Sequence, residues 1–133
     1  MLKFALPAVL IVLPHVSSAF GFGSRFARFL DVNSISATNF EVMSGPDEGP
    51  RAYWCAAARH VENTLGLQQT RIYLAVGRGP SITEPGRKAV QFSTQPVGDN
   101  VSSYSISIRK VGYNLGSGHA LRFCDDYYTY DND

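Results

Sequence analysis

The sequence predicts an α+β fold, one central helix packed on a mainly antiparallel sheet of about four to five strands. Three observations carry this. Residues 50–66, PRAYWCAAARHVENTLG, repeat apolar side chains with helical period between a proline and a glycine. Five short segments elsewhere alternate apolar and polar side chains with period two, separated by turns rich in Gly and Pro. No other stretch has convincing helical spacing.

In the helix, Pro50 suits the first turn, where an N–H has no partner to lose, and Gly66 suits the left-handed residue that closes a helix. Trp54, Ala58, Val61 and Leu65, with Ala57 beside them, form one apolar stripe, and Arg51, Arg59, Glu62 and Asn63 stay off it. The stripe needs a sheet to cover. The helix also carries Cys55, one of only two cysteines.

The chain opens with Lys3, an apolar run over residues 4–13 and then Ser17-Ser18-Ala19, the pattern of a signal peptide cut after Ala19. Pro7, Pro14 and the shortness of the run oppose a lasting transmembrane helix, so no stable membrane anchor is expected. The mature chain, residues 20–133, is one domain that buries roughly two thirds of its unfolded surface, a modest core. Two cysteines in an exported chain point to a disulfide between Cys55 and Cys124, and closing so long a loop is worth at most about 4 kcal/mol.

The 133 residues hold 12 basic and 11 acidic side chains, and this balance argues against nucleic acid as a partner. The distribution is uneven. Arg71, Arg78, Arg87, Lys88, Arg109, Lys110 and Arg122 share their region with only Glu84 and Asp99, while Asp125, Asp126, Asp131 and Asp133 crowd the end.

Along the mature chain, residues 20–30 mix four phenylalanines with two glycines and two arginines and read as a mobile arm. Phe40 and Val42 mark a first strand that points both side chains at the core, and the rigid loop SGPDEGP feeds the helix. RIYLAVG is a second strand with Ile72, Leu74 and Val76 inward, and KAVQFST a third with Val90 and Phe92 inward. These two should pair antiparallel across a long exposed loop, GRGPSITEPGR. SYSISIRKVGY reads as a fourth strand with Tyr104, Ile106 and Ile108 on one face, NLGSGH as a loop, and ALRFC as a short last strand before an acidic, solvated tail.

Several residues could carry chemistry. Cys55 near a helix N-terminus, with His119 as a distant base, is the arrangement of a thiol hydrolase, since the dipole favours the thiolate. The Trp54-Cys55 pair resembles papain-like hydrolases only with the aromatic residue on the wrong side of the cysteine. Cys55 and His60, like His119 and Cys124, stand five apart and suggest zinc. A step of five turns helix side chains about 140° apart, however, and an odd step on a strand puts them on opposite faces, so no metal site is expected. His60 then reads as a helix-surface residue and His119 as a loop residue. The acidic end lacks the glycine-turned spacing of a calcium loop. The loop over residues 77–88 carries Arg78, Arg87 and Lys88 with backbone N–H groups freed by glycine, which is the chemistry of a weak site for an acidic ligand or protein. Asn100-Val101-Ser102 is a glycosylation sequon.

YWCAAARHV on the helix, followed by GRG and AVQF in the strands, resembles small exported proteins of alphaproteobacteria that carry no assigned activity. The resemblance covers about half of the mature chain and implies the periplasm or cell exterior. The expectation is an exported, disulfide-stapled α+β domain with a structural or binding role, non-enzymatic and without a cofactor. The alternative is a hydrolase dependent on Cys55 and His119.

Overall fold

A computed structural model of the chain describes residues 26–27, 29–46 and 48–129. The signal segment, residues 20–25 of the arm, Asp47, Asp131 and Asp133 lie outside the described residues.

The fold is α+β. Its five-stranded sheet is antiparallel throughout: β2 (Val32–Ser34), β3 (Asn39–Met43), β4 (Arg71–Pro80), β5 (Lys88–Ser93) and β6 (Asn114–Gly116) lie in the order β2-β3-β5-β4-β6. A separate two-residue ladder joins β1 (Phe26–Ala27) to β7 (Tyr128–Thr129), so the two ends of the described chain meet. Alternation places Phe40, Val42, Leu74, Val90 and Phe92 on one sheet face, all with essentially no exposure, and the central helix covers them.

That helix is α1 (Pro50–Arg59), continued by a wider π turn over His60–Thr64. Gly66, at φ +69°, provides the left-handed exit the sequence calls for. Trp54 meets the sheet through the edge of Phe92 (centroids 4.8 Å apart) and stands edge-on to Tyr113 (5.5 Å). Its indole N–H donates to the carbonyl of Ser107 at 2.8 Å, which satisfies the one polar atom of a wholly buried ring. Burial is wider than the stripe: every residue of α1 from Ala52 to Ala58 is buried. A helix apolar nearly all round needs cover on its other side. The C-terminal segment supplies it, α2 (Ser117–Leu121) followed by a 3-10 turn over Arg122–Tyr127. The alanines of α1 let this segment approach closely, and Cys55 is bonded to Cys124 with Cα atoms 5.0 Å apart.

Four expectations about the C-terminal half and one about β4 are corrected. Residues 103–113 do not form a strand: the Ser107 hydroxyl accepts the N–H groups of Arg109 and Lys110, both at 3.0 Å, and turns the chain. Ile106 and Ile108 still lean on the core, but Tyr104 stands fully exposed. NLGSGH is β6 and the start of α2, and ALRFC is helical. Ser117, Ala120, Phe123 and Cys124 are spaced to bury one helical face, and a strand would have turned Phe123 and Cys124 to opposite sides. His119 therefore sits on α2 and not in a loop, although it is exposed. In β4, register shifts after Leu74 turn Val76 outward, where it is 47% exposed.

Candidate functional site

Cys55 lies in the second turn of α1 and is 1% exposed. Its sulfur is committed to Cys124, so neither cysteine presents the thiolate that a nucleophile or a zinc ligand requires. The crosslink is reinforced at its rim. Arg51, one turn before Cys55, pairs with Asp126 at 3.1 Å and lies 5.0 Å above the ring of Phe123. Asp126 is thus held on α1.

The hairpin between β4 and β5 is more built than a loop rich in Gly and Pro suggests. Alternation in β2 and β3 turns Asn33 and Glu41 to the sheet face opposite α1, and residues 81–87 fold back across that face onto them. Glu41 has no exposed surface. Its carboxylate accepts from the hydroxyl of Ser81 at 2.5 Å, from the hydroxyl of Thr83, and from the backbone N–H groups of Thr83 (3.0 Å) and Ile82 (3.2 Å). Burial alone would push the Glu41 carboxyl up, but the bonds from Ser81, Thr83 and Ile82 prevail and hold it below its ordinary value of 4.5. Asn33 extends the clamp by donating to Thr83 Oγ1 (2.9 Å) and to Glu84 (3.0 Å). The loop closes on itself through Ser81 N–H to the Arg87 carbonyl and Arg87 N–H to the Glu84 carbonyl.

This anchored hairpin displays Arg78, Arg87 and Lys88, all exposed. Arg87 pairs with Glu84 at 3.0 Å, whereas Arg78 and Lys88 have no ion pair among the described residues. A second segment adds charge beside them. At Gly77 a Cβ would sit 3.3 Å from the Ile108 carbonyl and 3.6 Å from the Arg109 Cα, so glycine lets the turn that bears Arg109 and Lys110 lie against β4. Arg109 thus lies beside Arg78, and from Gly77 to Pro80, the partner of Lys88, the strand runs roughly 10 Å. Sequence reasoning reached Arg78, Arg87 and Lys88. It missed Glu41, for which the only signal was an acid at an outward strand position with a Ser/Thr-containing loop to receive it.

His60 is a further correction. It is 9% exposed and not on the helix surface, and its ring is tilted over Phe40 at 4.5 Å. The π turn that starts at His60 rotates the side chain inward, burial lowers its pKa below 6.5, and its Nε2 has no hydrogen-bond partner among the described residues.

Comparison with protein-family models, with curated proteins and with solved structures gave no match.

Proposed function

We propose that this chain is an exported, disulfide-stapled binding domain. Its basic edge, Arg78, Arg87 and Lys88 joined by Arg109 and Lys110, receives an acidic ligand or the acidic face of a protein. The observation that carries the reading is the clamp on Glu41. A hairpin that only connects two strands has no need of a buried carboxylate and four donors, whereas a binding loop gains from being held in one shape before its partner arrives. Two cations without an ion pair among the described residues, next to a paired one, leave positive potential to steer an acidic partner.

Export is supported by the signal-like residues 1–19, by the crosslink of Cys55 to Cys124 and by the resemblance to alphaproteobacterial exported proteins. Among the described residues no helix is long and apolar enough to cross a membrane. The inaccessible, bonded Cys55 speaks against the thiol-hydrolase alternative, which needs a free thiolate there.

The test is anisotropy of a fluorescent poly-aspartate peptide titrated with the full chain. Binding that weakens with added salt and drops about fivefold or more for Arg78→Glu and again for Lys88→Glu is the expected result. No binding at low salt, or binding indifferent to both reversals, overturns the reading.

A further inference from the structure

A second site, on residues other than those of the basic edge, lies in the cleft between residues 100–106 and the strip formed by β6 and α2. Its volume is about 560 Å³, within the range of small-molecule pockets. Arg71 stands at one end. One of its guanidinium N–H groups donates to Asn114 Oδ1 at 2.7 Å, and Asn114 is fixed in turn by donating to Asn100 Oδ1 (2.8 Å) and to the Gly112 carbonyl (2.9 Å). The guanidinium is therefore oriented but not used up, and it has no carboxylate partner among the described residues.

Tyr113 gives the second, independent observation. It is 7% exposed, its ring is packed edge-on to Trp54, and its hydroxyl is left to solvent among the described residues. The hydroxyl is open to the solvent of the cleft, where a ligand can take the place of water. Burial also raises the Tyr113 pKa above 10.0, so the group stays a neutral donor. The rim carries serines at 102, 103 and 105 and the free-standing ring of Tyr104, and no carboxylate side chain lines the cleft.

These groups specify a ligand. An oriented guanidinium fork asks for a carboxylate; the Tyr113 hydroxyl, the serines and Asn100 ask for hydroxyl groups; an exposed aromatic ring asks for an apolar C–H face. We propose that the cleft binds a carboxylate-bearing sugar, a hexuronic acid unit. Arg71 takes the carboxylate, Tyr113 and the serine rim take hydroxyls, and Tyr104 covers the ring face.

The test is NMR titration of the full chain with D-glucuronate, with glucose and acetate in parallel. Glucuronate should saturate and shift the amides around Tyr113 and Asn114. Glucose and acetate should each bind at least about tenfold more weakly. Arg71→Ala should cost glucuronate at least about tenfold and Tyr113→Phe a few fold, with amide spectra otherwise unchanged, while Arg78→Glu should leave binding intact. The proposal fails if glucuronate does not saturate, if acetate binds as well as glucuronate, if Arg71→Ala has no effect, or if Arg78→Glu abolishes binding.

Discussion

Replacing Glu41 by Gln tests whether the hairpin is clamped by a charge or merely lies where it does. The carboxylate accepts four hydrogen bonds, three of them on Oε1 and one, from the Ile82 N–H, on Oε2. A glutamine oxygen in the Oε1 position keeps three bonds without charge assistance, and its amide N–H₂ then faces the Ile82 N–H donor to donor. Charged acceptors are worth about 1.5 to 3 kcal/mol per bond against about 1 for neutral ones, and an unpaired donor adds its own cost. The bonds share one acceptor and are not additive, so Glu41→Gln should cost about 2 to 4 kcal/mol by denaturant titration. Hydrogen exchange should localise the damage: the Ile82 and Thr83 amides should open early, while those of Leu74 and Phe92 in the core strands stay protected. The pH dependence has a fixed sign. Because the folded Glu41 pKa lies below 4.5, the contribution is complete above about pH 4.5 and is lost as pH falls through the folded value. A Gln variant as stable as the parent, with Ile82 and Thr83 still protected, would refute the clamp.

Three further outcomes follow from the same geometry. Trp54→Ala removes the largest buried side chain and strands the Ser107 carbonyl, so it should cost about 3 to 5 kcal/mol; a Trp54 fluorescing as if in water would contradict the packing. His60 has a folded pKa below 6.5, so its contribution is complete above about pH 6.5 and is lost as pH falls through the folded value. His60→Phe should remove that upper part of the acid profile and leave the part due to Glu41, as followed by thermal unfolding from about pH 7 down to about pH 2. Cys55→Ser and Cys124→Ser break one crosslink across 69 positions, so each should cost about 4 kcal/mol on loop-closure entropy and the double variant little more. Clearly unequal single effects would mean that one cysteine has a second role.

The sheet was legible wherever period two coincided with burial on one face. Phe40 with Val42, Ile72 with Leu74, and Val90 with Phe92 all point inward as alternation requires, and the pairing of β4 with β5 follows from the hairpin between them. Alternation misled where a side-chain hydrogen bond took over the backbone. The run Tyr104, Ile106, Ile108 looks like a strand, but the Ser107 hydroxyl caps a turn and Trp54 needs the Ser107 carbonyl. The last segment was ambiguous for a different reason. A five-residue helix leaves too short a record of its period, and only the position of Cys55 shows why Cys124 must come in on a helical face. The cysteine pair and the basic hairpin residues could be named from the sequence because their chemistry is local. Glu41, His60 and Tyr113 could not, since each owes its environment to a distant segment: the hairpin loop, the strand that carries Phe40, and the segment facing β6.

The proposed binding role requires Cys55 to be half of a structural crosslink. The most direct measurement is the intact mass of the protein recovered from an oxidising compartment, before and after iodoacetamide without reductant. The crosslinked form should be about 2 Da lighter than the reduced chain and should take up no label, because both sulfurs are bonded and buried. A mass equal to the reduced chain, with carbamidomethylation at Cys55 that survives Cys124→Ser and slows in His119→Ala, would contradict the account and restore the thiol hydrolase.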